Sequence, residues 1–77
     1  MSQLWQYVMA HGIDDAIDRL RHGDDLRVGS IKNVGPNLAD ALGRIDRVHA
    51  KGGAVIDAKG RRSTDGRQLV AMLREDL

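Results

Sequence analysis

The stretch "DDLRVGSIKNVGPNLADALGRIDRVHAKGGAVID" (Asp24 to Asp57) decides the fold. At its centre Leu38, Ala41, Leu42, Ile45, Val48 and His49 recur at helical spacing and line one stripe. They predict a helix over residues 37–51. Pro36 suits the first turn, where its missing N–H costs nothing, and Gly52 and Gly53 end the helix. Short apolar runs flank it: residues 26–28 before and "AVID" (residues 54–57) after, each read as a strand. A strand–helix–strand order implies two parallel strands joined by a right-handed crossover. The fold class expected is therefore α/β, a small βαβ core with two parallel strands flanked by helices.

Working outward, Ile13, Ala16, Ile17 and Leu20 give an apolar face to a helix over residues 14–22. Asp14 and Asp15 lie at its positive end and Arg19, Arg21 and His22 near its negative end, with Gly23 as its cap. On the other side, "AKGRRSTDG" (residues 58–66) reads as a basic loop. Asp65 then caps a last helix, with Gln68 as its capping-box partner and Leu69, Val70, Met72 and Leu73 as its buried face. At the N-terminus, Leu4, Trp5, Val8 and Met9 suit a short helix, whereas Trp5, Tyr7 and Val8 suit a third strand. Trp5 and Tyr7, the only aromatic residues, suit a protein interface if exposed, but a chain without Phe favours Trp5 in its core.

A chain of 77 residues makes one domain, residues 1–77, of modest stability. It has no cysteine, so no disulfide staples it and no thiol serves as nucleophile or ligand. No run approaches the roughly 18 apolar residues of a membrane span, and "MSQLWQYVMAHG" lacks the basic start and long apolar run of a signal peptide. The expectation is a soluble, cytoplasmic protein with no membrane partner. The net charge of +1 hides an asymmetry: residues 1–25 carry five Asp and two Arg, residues 26–77 ten Lys or Arg and six acids. The C-terminal two-thirds is thus suited to an anionic partner.

The candidate binding residues are the cations of that region. Arg44, Arg47 and Lys51, at i, i+3 and i+7, form a stripe on the helix side away from the apolar stripe. Lys59, Arg61, Arg62 and Arg67 cluster in and after the basic loop, and Lys32 precedes the Gly35-Pro36 turn. Each of these sets reads either as a phosphate- or protein-docking surface or as an ordinary solvated face, in which Asp40 would pair with Arg44. His11, His22 and His49 have no ligand spacing, and the paired acids Asp14, Asp15, Asp24 and Asp25 suit helix starts and turns. No cofactor and no metal are expected. A two-stranded sheet leaves edges that a second copy would cover, which allows a weak homodimer.

Two resemblances follow from these residues. "RLRHGDDLRVGSIKNVGPNLADAL", "RIDRVHAKGGAVID" and "STDGRQLVAMLRE" together resemble the C-terminal part of the catalytic domain of serine recombinases, the resolvases and invertases. The family pattern "K-x-D-R-L-G-R-S-x-x-D-L-L" lies over this chain without a gap. The resemblance implies an acid and two arginines where this chain has Lys32, Asn33 and Pro36, and a nucleophilic Ser that Ser2, Ser30 and Ser63 do not match. Phosphoryl transfer needs a nucleophile and cations on the developing charge, so the likeness is to a scaffold without its chemistry. "IKNVGPNLADAL" also resembles a helix-hairpin-helix turn, which binds DNA phosphates through backbone N–H groups and requires a helix before the turn.

These readings give the functional expectation. The first is a non-enzymatic interaction protein on a degenerate recombinase-like fold, a phage or mobile-element inhibitor that binds a nucleic-acid-processing nucleoprotein complex in the manner of an anti-CRISPR protein. The alternative is a small, sequence-tolerant DNA-binding module using the Gly35-Pro36 turn and the basic helix face.

Overall fold

A computed structural model describes residues 12–77. The elements run α1 (Ile13–Asp18), β1 (Leu26–Arg27), a 3-10 turn (Ile31–Asn33), α2 (Leu38–Ala50), β2 (Val55–Ile56) and α3 (Gly66–Asp76). The strands pair in parallel, Leu26 opposite Val55 and Arg27 opposite Ile56. Leu26 N–H donates to the Ala54 carbonyl and Val28 N–H to that of Ile56, each at 2.8 Å. On its other side β2 makes an antiparallel bridge between Ile56 and Arg62. The mixed α/β fold with a two-stranded parallel core is thus as the sequence implies. The expected N-terminal helix or strand, with Trp5, Tyr7 and His11, lies outside the described residues.

The core is aliphatic. Ile17, Leu26, Ile31, Val34, Ile45, Val48, Val55 and Met72 are fully buried, and each contributes roughly 1.5–3 kcal/mol on leaving water. Two glycines set the distance between layers. Gly53 lies against Asp24, where a Cβ would stand 1.7 Å from the carbonyl oxygen, so only glycine lets the chain pass from α2 into β2 beside β1. Gly52, at φ +80°, turns the chain out of α2, as the sequence implies.

Three elements depart from expectation. α1 stops at Asp18 instead of His22. The Lys51 ammonium takes the carbonyls of Ile17 (2.8 Å), Asp18 (2.7 Å) and Leu20 (3.2 Å), ending the helix from outside. Arg19, Arg21 and His22 therefore lie beyond it, and Gly23 instead makes a turn whose N–H donates to the Lys51 carbonyl. Asp65 caps α3 as expected, but Gln68 does not reach back to it: the Gln68 side chain accepts from Arg62 N–H at 2.7 Å. Leu38, Leu42 and Val70, read as core, are exposed. No helix among the described residues is long and apolar enough to cross a membrane.

Candidate interaction surface

The eight cations read as binding residues divide sharply. Arg44 grips Asp14 with two bonds, Nε to Oδ1 at 2.9 Å and Nη2 to Oδ2 at 3.2 Å, and gives Nη1 to the Val34 carbonyl. Arg47 bonds the same Asp14 at 2.7 Å and Asp18 at 2.6 Å. The Arg44 and Arg47 guanidiniums hold the Asp14 carboxyl below the usual carboxylate range. With Lys51 on the last carbonyls of α1, the stripe of Arg44, Arg47 and Lys51 is the seam that docks α1 on α2. Its charges are spent largely within the chain although the seam is open to solvent, with Arg47, Asp14 and Asp18 exposed, and Arg44 pairs with Asp14 where the helix spacing suggests Asp40.

The basic loop is engaged in the same way. Arg61 bridges the buried Asp57 (2.8 Å) and Glu75 of α3 (2.7 Å), and Lys59 meets Glu75 at 2.9 Å. Burial pushes the Asp57 carboxyl up, but bonds from Arg61 and Lys59 outweigh it and leave the group below its ordinary value. Arg62 lies 3.3 Å from Asp25. Lys32 and Arg67 alone of the eight have side chains that form no ion pair or hydrogen bond among the described residues.

The Gly35-Pro36 turn has a local explanation. A strand and a single 3-10 turn precede it, where a helix-hairpin-helix has a full helix. Ser30 and Asn33 form a reciprocal capping box on that 3-10 turn, so Asn33 has a structural task at a position where the recombinase resemblance implies Arg. Gly35 is buried, and a Cβ on it would stand 2.6 Å from Ala41 N. The Asn37 side chain caps α2 by accepting from Asp40 N–H. The glycine thus serves close packing on α2.

Ser63 and His49 form one pairing the sequence does not signal, with Oγ and Nε2 2.7 Å apart. That is the spacing of a Ser–His catalytic pair. Yet Ser63 is buried and its Oγ also accepts from Val55 N–H, so no substrate reaches it. The pair pins the segment beside β2 to α2. Among the described residues, no three His, Asp or Glu side chains come together to hold a metal ion.

Four large apolar side chains are exposed as well. Leu38 (52%), Leu42 (40%), Val70 (50%) and Leu77 (44%) are the large hydrophobic side chains open to solvent among the described residues. Leu38, Val70 and Leu77 line a groove of about 740 Å³ between the start of α2 and the end of α3, with Pro36, Leu73, Lys32 and Arg74. Leu42 borders a smaller hollow of about 410 Å³ farther along α2, with Ile45, His49 and Leu69. Helix geometry explains why the leucines are uncovered. At roughly 100° per residue, Ala41, Ile45 and Val48 face the core and the α1 seam takes the arc on one side, which leaves Leu38 and Leu42 on the other. The apolar stripe of α2 is wider in the sequence than one packed face needs, but only the fold shows which part of it a neighbour covers.

No protein-family model, curated protein or solved structure matches this chain significantly.

Proposed function

We propose that this protein is a non-enzymatic interaction module that docks on a partner protein or nucleoprotein complex through the groove between α2 and α3. One observation carries the reading: Leu38, Val70 and Leu77 stand exposed around a single groove while most of the candidate cations are tied to acids of the same chain. The absence of an acid and two guanidiniums at Lys32, Asn33 and Pro36, and the burial of Ser63, support a role without catalysis. The likeness of the sequence to serine recombinases, enzymes of phages and mobile elements, makes a small inhibitor of a nucleic-acid-processing complex, anti-CRISPR-like in kind, the specific form of the proposal.

The test is capture of candidate nucleoprotein complexes by the purified protein and by Val70→Asp. The expected result is a stable complex with the wild type that Val70→Asp abolishes. No stable complex with any candidate, or one indifferent to Val70→Asp, overturns the reading. The DNA-binding alternative predicts a gel shift at low salt that weakens steeply with added salt. With only Lys32 and Arg67 of the candidate cations unpaired, the expected shift is weak or absent.

A further inference from the structure

The groove has a charge as well as an apolar floor, and the two together specify what fits it. This step rests on the docking role just proposed. Viewed down α3, the exposed side passes from Leu73 through Leu77 and Val70 to Arg74 and then Arg67, so apolar floor grades into a basic edge. Lys32 closes the groove from the 3-10 turn. The side chains of Lys32, Arg67 and Arg74 have no acidic partner among the described residues. One acidic side chain lines the groove: Asp76, whose Oδ2 accepts from Ile31 N–H at 2.9 Å. Lys32 and Arg74 outnumber that one side-chain carboxylate, so the side chains lining the groove carry a net positive charge.

The backbone of the groove limits the shape of its occupant. Its walls come from the 3-10 turn, the Pro36–Asn37 turn, α2 and α3, and neither strand contributes a residue. An extended peptide entering here meets no sheet edge on which to satisfy its N–H and C=O groups. A helix carries its own backbone hydrogen bonds and presents apolar side chains at i, i+3 or i+4 and i+7. We infer that the groove takes an amphipathic helix of a partner protein whose apolar face is flanked by Asp or Glu, with Lys32 and Arg74 reading the acidic flank. Apolar contact supplies most of the affinity, and the cations supply orientation and discrimination between partners.

The experiment uses the full chain and two fluorescent synthetic helices with the same Leu/Phe face, one flanked by Glu and one by Lys. Fluorescence anisotropy is expected to show micromolar binding of the Glu helix and at least about tenfold weaker binding of the Lys helix, a difference of about 1.4 kcal/mol. The double variant Lys32→Glu with Arg74→Glu should reverse that preference, and Val70→Asp should abolish both. Circular dichroism melts of the same variants establish that each is folded, since none of these side chains is buried. Equal binding of the two helices, or none, overturns the inference. So does a concentration-dependent mass in ultracentrifugation that Val70→Asp removes, which assigns the groove to a second copy. A shift in Trp5 emission between wild type and Val70→Asp without peptide assigns it to residues 1–11 and overturns it equally. Duplex DNA that displaces the Glu helix points to phosphate on the rim and also overturns it. If partner capture is lost in Val70→Asp but unchanged in the charge-reversed variant, docking stands and the acidic-helix inference alone falls.

Discussion

Two glycines show how opposite demands fall on one residue type. Gly53 is needed where it is, because a Cβ there meets Asp24 O at 1.7 Å and either α2 or β1 must move. Gly43 sits inside α2, where an added Cβ would meet nothing within 4 Å, so it carries only the entropic cost of glycine in a helix. Gly53→Ala is expected to destabilise by on the order of 3 kcal/mol, and Gly43→Ala to stabilise by about 0.5–1 kcal/mol, both measurable by urea unfolding. Lys51 is the third residue of note. Replacing it with Met keeps the stem but leaves three carbonyls at the end of α1 without their cation, at a cost of about 1–2 kcal/mol. Thermal melting should show a drop of roughly 4–8 °C per kcal/mol for a domain of this size.

At the level of elements, the sequence is most legible where a local rule and the core agree. α2 has Asn37 to cap it, Gly52 to end it and a buried face of Ala41, Ile45 and Val48, and its expected and observed bounds nearly coincide. β1 and β2 are legible because Leu26, Val55 and Ile56 are apolar and flanked by turn residues. α1 is shorter than its periodicity suggests because the residue that ends it, Lys51, is far away in sequence and no local rule includes it. The candidate cations mislead for the same reason: a basic stripe and a solvated stripe have identical spacing, and only the fold brings Asp14 and Asp18 to Arg44 and Arg47. Val70 and Leu42 read as inward-facing because periodicity locates an apolar stripe but not how much of its width a neighbour covers.

For the whole molecule, acid is the condition that loosens these long-range ties. Asp14, Asp57 and Glu75 all have carboxyl groups held below their ordinary values, chiefly by bonds from Arg44 and Arg47 to Asp14 and from Lys59 and Arg61 to Glu75, while at Asp57 bonds from Arg61 and Lys59 prevail over burial. A folded-state value below the unfolded one means that the unfolded chain takes up protons first as pH falls. The stabilisation is complete above about pH 5 and is lost as pH drops through the lowered folded values. Melting temperature should be level from neutral pH down to that point and then decline. Asp57→Asn should flatten the decline most, because Asp57 is the buried member of the three and least screened by solvent.

The parallel pairing of β1 with β2 also sets an order of events in time. Leu26 and Val55 cannot meet until the whole crossover between them, α2 included, has been enclosed. The sheet is only two residues long in each strand, so it returns little for that closure and cannot come first. A formed α2 shortens the path its ends must search, which places that helix in the folding transition state. Stopped-flow refolding of Gly43→Ala should accordingly show a faster folding limb and an unfolding limb close to that of the wild type.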